Sequence, residues 1–160
     1  MLSETLSTLI PKATQSKPAK AFAPTNIALV KYWGKRNLEL NLPVTGSLSI
    51  ALPGLGATTT IDIATDTDQV TLNGDAVSPE HGFYKRLIGF LDQVRPAPDY
   101  YYQIDTESNI PIAAGLASSA CGFAALVKAL NEHHGWKLPT WKQSVLARIG
   151  SGSACRSFWH

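Results

Sequence analysis

Pro111-Ile-Ala-Ala-Gly-Leu-Ala-Ser-Ser-Ala120 separates a strand-like segment from an alanine-rich helical segment. Phosphate groups bind well to unhindered backbone N–H groups at the positive end of a helix dipole, and small residues before a helix provide both. The hydroxyls of Ser118 and Ser119 can add donors or bind a Mg²⁺ that accompanies a phosphate. The segment therefore predicts a phosphate-binding loop.

The same segment is also compatible with an ordinary helix start, in which a serine caps the helix and the alanines pack closely. It is neither a Walker A loop, which needs Gly-Lys-Ser/Thr, nor the Rossmann GxGxxG pattern. Spacing alone leaves both interpretations open.

A second motif lies upstream, at Asn26-Ile-Ala-Leu-Val-Lys-Tyr-Trp-Gly-Lys-Arg36. It places Lys31 and Lys35 around a tight Tyr-Trp-Gly turn. Two ammonium groups and the phenol hydroxyl of Tyr32 can hold a diphosphate. The pattern is also typical of a strand end whose lysines extend into solvent.

A third motif lies near the end of the chain, at Arg148-Ile-Gly-Ser-Gly-Ser-Ala-Cys-Arg-Ser157. Alternating glycine and serine expose hydroxyls and backbone N–H groups, and the guanidinium of Arg156 can bind a carboxylate with two hydrogen bonds. Taken alone, a Gly-Ser turn is more often a flexible loop.

The three motifs, in this order, resemble those of the diphosphomevalonate decarboxylases. These enzymes belong to the small-molecule kinase superfamily of galactokinase, homoserine kinase, mevalonate kinase and phosphomevalonate kinase. The matching strings are APTNIALVKYWGKR, PxxxGLxSSA and RxGSGSACRS, and the resemblance runs from about residue 20 to the end of the chain. It implies an α+β fold: the superfamily's N-terminal ATP-binding domain, with a left-handed βαβ unit like that of ribosomal proteins, over residues 20–160.

The resemblance also implies an activity, the ATP-dependent decarboxylation of mevalonate 5-diphosphate to isopentenyl diphosphate in isoprenoid biosynthesis. ATP and Mg²⁺ are the expected cofactors. The expected partners are small molecules rather than nucleic acid or membrane, with a homodimer in the full-length form. The expected compartment is the cytoplasm.

Residue roles follow from the same resemblance. Lys31, Ser119 and Arg156 are expected to be catalytic, with Lys31 beside the reacting hydroxyl and Arg156 on the carboxylate that leaves as CO₂. Asn26 is expected to orient Arg156. The expected contacts of the substrate diphosphate are Tyr32, Lys35, Ser151 and Ser153, and those of ATP are Pro111, Ala114, Gly115, Leu116, Ala117, Ser118, Ser119 and Ala120.

Two features depart from the family pattern. Val44-Thr-Gly-Ser-Leu-Ser49 has Thr-Gly where family members more often have a polar pair such as Asn-Ser. Family members are also longer: they place the catalytic aspartate in their second half, and their C-terminal domain is ferredoxin-like, so that this chain would stop before it. We therefore expect this 160-residue chain to be incomplete at its C-terminal end and nearly inactive alone.

Two other kinds of function remain open at this stage. One is a close relative that phosphorylates mevalonate at its tertiary hydroxyl or decarboxylates the monophosphate, although Lys35, Ser151 and Ser153 favour a phosphorylated substrate. The other is a non-catalytic fragment that keeps the fold. A nucleic-acid-binding domain is disfavoured, because the net charge is only +2 and there is no aromatic-basic repeat.

Composition agrees with a globular domain, since 44% of the residues are hydrophobic and 16% are charged. Residues 1–40 contain six Lys or Arg against two Glu, which favours an anionic small ligand or a solvated basic face. Cys121 and Cys155 lack zinc-site or disulfide spacing, so both are expected to be small packed residues. No apolar stretch reaches the ~18 residues of a membrane span.

Periodicity and turn residues predict the elements. No role is assigned to the four histidines. The predictions are a loosely held leader over residues 1–19, extended structure over 20–32, short strands at 47–52 and 57–64, a hairpin at Asn73 and Gly74, a helix over 79–95, a strand over 100–108, and helices over 117–134 and 139–149.

Overall fold

The computed structural model describes residues 2–110 and 118–159. Among the helices in these ranges, none combines the length and apolar character needed to span a bilayer. The helices are α1 (Leu2–Leu9), α2 (Gly82–Val94), α3 (Ser118–His133), α4 (Thr140–Gly150) and a final 3-10 helix (Ala154–Phe158). The strands are β1 (Ala19–Val30), β2 (Lys35–Asn37), β3 (Leu42–Pro43), β4 (Leu48–Ala64), β5 (Gln69–Leu72), β6 (Asp75–Ala76) and β7 (Tyr101–Ser108).

The main sheet orders its strands β1-β4-β7-β5-β6. β1, β4 and β7 pair antiparallel, whereas β5 runs parallel to β7. Parallel neighbours need a long crossover connection, and here that connection contains α2. A separate two-stranded sheet joins β2 to β3. This mixture of antiparallel strands and packed helices confirms the predicted α+β class.

One face of the main sheet is buried because apolar side chains alternate along its central strands. Ile61 on β4 lies opposite Ile104 on β7, and both are buried. Leu126 and Leu130 of α3 belong to the same apolar cluster. Thr60, which points to the other face, stays partly exposed. The helices therefore cover one face of the sheet as a second layer.

β4 continues past the main sheet and carries an arm. Its register with β1 shifts at residues 53–55, which bulge out of β4, whereas β7 pairs with β4 along residues 57–64. Beyond the bulge, residues 25–30 of β1 pair with residues 48–52 of β4. This two-stranded extension is called the arm below, and it is the part of the sheet that meets the 3-10 helix.

The arm and the turn that follows β1 expose many large apolar side chains. Large apolar side chains exposed in such number are more common on surfaces that contact another protein or domain than on free surfaces. The residues concerned, each at least 40% exposed, are Ile27, Leu29, Val30, Trp33, Leu38, Val44, Leu48, Ile50, Leu55 and Trp159.

The strands predicted separately at residues 47–52 and 57–64 form one strand, β4. The chain continues through the bulge because Gly54 adopts a φ of 82°, which only glycine adopts readily. Gly56 follows it in close contact with β1, since a Cβ there would lie 2.1 Å from a carbonyl oxygen of that strand. Glycine at these two positions allows one continuous strand where the sequence predicted two strands separated by a break.

The hairpin predicted at Asn73 and Gly74 is confirmed. These residues join β5 to β6 with φ values of 53° and 86°, as a two-residue type I′ turn requires. The side-chain Oδ1 of Asn73 also accepts a hydrogen bond from the backbone N–H of Ser108, at 2.7 Å. The turn is thereby fastened to β7.

The predicted helices are present with small shifts at their ends. The helix expected over residues 79–95 begins at Gly82, because Nδ1 of His81 accepts a hydrogen bond from the backbone N–H of Phe83 at 3.2 Å and caps the helix there. The helices expected over residues 117–134 and 139–149 are α3 and α4.

The N-terminal segment packs on the domain, which differs from the loosely held leader predicted for residues 1–19. Leu6 and Leu9 of α1 are buried. Farther along, the backbone N–H of Thr14 donates to the carbonyl oxygen of His134, at 3.0 Å. Apolar burial and hydrogen bonds therefore hold this segment.

His133 and His134, to which the sequence assigned no role, end α3 inside the core. Nδ1 of His133 lies 2.5 Å from the carbonyl oxygen of Lys17 and therefore carries a proton, while Nε2 lies 2.7 Å from the Tyr100 hydroxyl. Nε2 of His134 lies 2.8 Å from the Tyr102 hydroxyl. Burial lowers the pKa of both rings, that of His134 to about 4, so both are neutral at neutral pH.

Candidate functional site

Arg156 lies in the 3-10 helix and is held by the arm from two sides. Its Nε donates a hydrogen bond to Oδ1 of Asn26 at 3.4 Å, and its Nη1 donates to Oγ of Ser47 at 3.0 Å. Asn26 belongs to β1, and Ser47 directly precedes β4. The guanidinium is therefore fixed where the arm meets the helical layer.

Asn26 is buried, and its side-chain amide has defined partners. Nδ2 donates to Oγ of Ser157 at 2.8 Å and to the carbonyl oxygen of Ser153 at 3.3 Å. An asparagine amide has two N–H donors and one oxygen acceptor. Because Ser153 can only accept through its carbonyl, Nδ2 must face it, and Oδ1 is directed at Arg156.

Tyr32 links the turn after β1 to the glycine-serine motif. A Cβ built on Gly152 would lie 2.4 Å from the Tyr32 hydroxyl oxygen, so the phenol occupies the space above that glycine. Since the two residues are 120 positions apart in sequence, this contact brings two of the three motifs together.

The glycine-serine turn is ordered by its own backbone. The N–H of Ser151 donates to the carbonyl oxygen of Ala147 at 3.0 Å, and the N–H of Ala154 donates to that of Ser151 at 2.8 Å. The N–H of Arg156 donates to the carbonyl oxygen of Ser153 at 3.2 Å. Ser151 and Ser153 remain partly exposed, so their hydroxyls are accessible beside Tyr32.

Lys31 and Lys35 flank the turn that carries Tyr32, and both are exposed. The turn is held by the loop before β4: the N–H of Trp33 donates to Oγ1 of Thr45 at 3.0 Å, and the N–H of Val44 donates to the Gly34 carbonyl oxygen at 3.2 Å. Within the described ranges, neither lysine has an ion-pair partner. Both ammonium groups can therefore accept an anion at this end of the arm.

The predicted ATP loop lies largely outside the described residues. Pro111, Ala114, Gly115, Leu116 and Ala117 fall in the gap between residues 110 and 118. α3 begins at Ser118, inside the range predicted for the helix start, with Ser119 partly buried and Ala120 buried in its first turn.

The two thiols are poor candidates for chemistry. Burial raises the pKa of both Cys121 and Cys155, which keeps the thiols protonated and weakly nucleophilic. Over residues 2–110 and 118–159, no group of three or more His, Cys, Asp or Glu could hold a metal ion.

A cleft of about 440 Å³ opens beside the guanidinium. Ser47, Ile50 and Pro53 line one wall, and Arg156 and Trp159 line the other. The wall is mostly apolar, with the charge of Arg156 at its edge. Such a cleft suits a small aliphatic molecule that carries a carboxylate.

The structure thus gathers Asn26, Tyr32, Ser153 and Arg156 at the junction of the arm and the 3-10 helix. It places the backbone of Lys31 and Lys35 beside them but shows no contact of either ammonium group with Arg156 or Ser153. Two partners were not predicted from the sequence. Ser47 begins the Ser-Leu-Ser segment, directly after the Thr-Gly pair that departs from the family pattern, and Ser157 is the last residue of the third motif.

Comparison with known families gives one match over most of the chain. The family model described as the diphosphomevalonate decarboxylase-like N-terminal domain matches residues 23–160. This range includes the arm, the 3-10 helix and every residue of the three motifs.

Related proteins agree with that match. The diphosphomevalonate decarboxylase of Saccharomyces cerevisiae is 39% identical over 156 residues, which cover 88% of this chain and 39% of that protein. A solved structure of the mevalonate diphosphate decarboxylase from Enterococcus faecalis concerns ATP binding mediated by mevalonate diphosphate. It is 43% identical to this chain with a TM-score of 0.80, and the match covers 88% of this chain and 44% of that one. A structure of MDDEF in complex with MVAPP, AMPPCP and magnesium is 41% identical with a TM-score of 0.76, over 88% and 43%. This chain therefore spans less than half the length of the relatives that it matches.

Proposed function

This chain belongs to the diphosphomevalonate decarboxylase-like family, and from that premise we propose that the protein carrying it converts mevalonate 5-diphosphate to isopentenyl diphosphate with ATP. The observation that carries the proposal is the orientation of Arg156. Oδ1 of Asn26 and Oγ of Ser47 occupy its Nε and one N–H of Nη1.

The remaining donors of Arg156 define what it can bind. Its guanidinium has five N–H groups in a fixed plane, and two of them are used by Asn26 and Ser47. One N–H on Nη1 and both on Nη2 are left, so the terminal edge can form two parallel hydrogen bonds to a carboxylate. The cleft beside it has room for the aliphatic part of mevalonate.

The proposed diphosphate site is the neighbouring group of cations and hydroxyls. Lys35, Tyr32 and the hydroxyls of Ser151 and Ser153 would hold the diphosphate, which is why we favour a diphosphorylated substrate over free mevalonate. Lys31 would lie beside the tertiary hydroxyl that receives the γ-phosphoryl group of ATP.

The proposed reaction has two stages. The tertiary hydroxyl gives up its proton to a base, which the family resemblance places outside this sequence, attacks the γ-phosphorus of ATP and releases ADP, which converts a poor leaving group into a phosphate. Loss of this phosphate leaves an electron-poor carbon, and the electron pair of the bond to the carboxylate moves to it as CO₂ departs. The protein contributes mainly positioning and charge stabilisation, as in other phosphoryl transfers.

The proposed ATP site is the start of α3 with the loop before it, comprising Pro111 and residues 114–120. The positive end of the α3 dipole supports phosphate binding there. Mg²⁺ would supply charge neutralisation on the ATP phosphates, and the hydroxyls of Ser118 and Ser119 are the candidate protein ligands that the family resemblance implies. We further propose that residues 20–160 act as this ATP-binding domain in a cytoplasmic homodimer.

The proposal is tested in a fusion protein, in which this chain replaces the matching N-terminal part of the S. cerevisiae relative. The fusion should release ADP, phosphate and CO₂ from mevalonate 5-diphosphate with Mg-ATP, and should use mevalonate or its 5-phosphate much less well. Release of ADP without CO₂, or preference for either of the other two substrates, would show that the chain belongs to a kinase or a monophosphate decarboxylase instead.

A further inference from the structure

We propose that Ser157 is a positioning residue, whose hydroxyl fixes the amide of Asn26 and, through that amide, the guanidinium of Arg156. The catalytic consequence rests on the proposed function, whereas the positioning itself does not. Oγ of Ser157 lies 2.8 Å from Nδ2 of Asn26, and both side chains are buried.

The burial of Asn26 makes this hydroxyl necessary. The Asn26 amide carries two N–H groups, and water has little access to either, since the residue is 2% exposed. The carbonyl oxygen of Ser153 accepts from Nδ2 at a longer distance, 3.3 Å. Without Ser157, one N–H would have no partner, and the amide would gain by rotating away from its present plane.

Rotation of that amide would be felt at Arg156. Oδ1 and Nδ2 belong to one rigid planar group, so Nδ2 cannot turn without moving the acceptor of the Arg156 Nε bond. A full flip would place the N–H groups of Asn26 against the Nε–H of Arg156, donor against donor. The Ser157 hydroxyl thus acts on the Arg156 guanidinium through two hydrogen bonds, one from Asn26 Nδ2 to Ser157 and one from Arg156 Nε to Asn26 Oδ1.

The position of Ser157 explains why a hydroxyl and not a larger polar group lies there. Ser157 follows Arg156 directly in the 3-10 helix and is fully buried beneath it. One turn of backbone therefore carries both the cation that binds the substrate and the hydroxyl that fixes its partner. A displacement of the helix moves both together.

The chain offers a matched control in Ser144. This buried serine also supports the 3-10 helix, because its hydroxyl donates to the carbonyl oxygen of Cys155 at 2.9 Å and accepts from Nε1 of Trp159 at 3.3 Å. It has no hydrogen bond to Asn26 or Arg156. Ser144→Ala therefore reports what loss of a buried hydroxyl does to the helix and to Trp159 of the cleft, with the hydrogen bonds of Asn26 left in place.

The first measurement follows the Arg156 Nε proton by NMR in the 160-residue chain. Ser157→Ala, and Ser157→Cys, whose thiol fills the site but is larger than a hydroxyl and a weak acceptor, should speed its exchange with solvent by about tenfold, the effect of one lost hydrogen bond. Ser144→Ala should lower the Tm and leave this exchange unchanged. If Ser157→Ala does not fold, Ser157→Cys carries the test.

The second measurement uses the fusion. Ser157→Cys should lower kcat by about 10²-fold, as expected for a catalytic group displaced by about 1 Å, with the KM for ATP unchanged. Ser144→Ala, which removes a hydrogen bond from Trp159 in the cleft, should lower kcat by much less than Ser157→Cys does. An Arg156 Nε exchange rate within twofold of the parent in a folded Ser157 variant, or the same acceleration in Ser144→Ala, would overturn the proposal. A parent fusion without decarboxylation would overturn the proposed function alone.

Discussion

The hydroxyl oxygen of Tyr32 lies where a side chain at position 152 would begin, 2.4 Å from the site of a Cβ on Gly152. A side chain at position 152 would push the Tyr32 hydroxyl aside, so glycine there lets the turn after α4 and the end of β1 keep this contact. This contact joins the lysine-rich motif to the glycine-serine motif, and it makes the proposed diphosphate site sensitive to a single methyl group.

Gly152→Ala in the fusion should displace the Tyr32 phenol and raise the KM for mevalonate 5-diphosphate by about tenfold or more, while the KM for ATP stays the same. Steady-state kinetics with each substrate varied in turn will measure this. Gly89→Ala is the control, since a Cβ on Gly89 in α2 has open space and should slightly stabilise the helix. An unchanged KM in Gly152→Ala would separate Tyr32 from substrate binding.

Arg156→Gln in the fusion should strongly reduce decarboxylation, because glutamine keeps a polar side chain but loses the two parallel hydrogen bonds to the carboxylate. A loss of about 10²-fold in kcat is expected when a group of this kind is removed. CO₂ and ADP release are measured in the same reaction. Equal rates for the variant and the parent would contradict the role of Arg156.

Ser119→Ala in the fusion should weaken the use of ATP more than the binding of mevalonate 5-diphosphate. Ser119 lies in the first turn of α3, at the positive end of its dipole, and away from the cleft that Arg156 borders. The measurement compares kcat/KM for ATP with the Kd for mevalonate 5-diphosphate. Unchanged kinetics would count against the assignment of this turn to ATP.

The 160-residue chain by itself should be inactive or nearly so as a decarboxylase. The family resemblance places the catalytic aspartate outside this sequence, and general acid-base groups typically contribute ~10²–10⁴ in rate. CO₂ and ADP release should be compared between the chain and the S. cerevisiae relative. Turnover within tenfold of the relative would show that every catalytic group is present in the chain.

Stability should fall on acidification because of His134. Burial holds its pKa at about 4 in the folded chain, below its ordinary value of 6.5, so the folded state binds fewer protons than the unfolded state between these values. The stability that depends on neutral His134 is therefore present above pH 6.5 and lost as the pH falls towards 4, by roughly 3 kcal/mol at most.

His134→Phe keeps an aromatic ring that cannot be protonated, and it should make the free energy of unfolding less dependent on pH. Urea unfolding at about pH 7 and pH 4.5 in both proteins measures the difference. The charge of a protonated His133 also lowers the pKa of His134, so His134→Phe removes this coupling together with the titration of His134, while burial still lowers the pKa of His133 in the variant. The same pH dependence in parent and variant would assign it to other groups.

The strands and helices followed from local patterns, since alternation and turn residues are properties of neighbouring positions. The motif strings also predicted that Asn26 and Arg156 belong together. The roles of Ser47 and Ser157 could not be predicted in this way, because their hydrogen bonds join positions 109 and 131 apart in sequence. The sequence around a serine does not indicate which distant residue its hydroxyl will bond.

The N-terminal helix shows a signal that was present but outweighed. Leu2, Leu6 and Leu9 have the spacing of one helical face, yet the surrounding Ser, Thr, Lys and Pro residues favoured a loose leader. The helix is stable because that face packs on the domain, with Leu6 buried in the main apolar cluster. Burial against the rest of the domain stabilises α1, and composition alone does not reveal this burial.

The bulge at residues 53–55 has a mechanical consequence for the guanidinium. Beyond the bulge, the arm no longer pairs with β7, so the bulge is the point at which the arm joins the main sheet. Asn26 lies in the arm and Ser47 directly precedes its second strand, whereas Arg156 lies in the 3-10 helix of the helical layer. A displacement of the arm relative to the helical layer would therefore change both Arg156 hydrogen bonds at once. These two hydrogen bonds couple the position of the Arg156 guanidinium to the position of the arm.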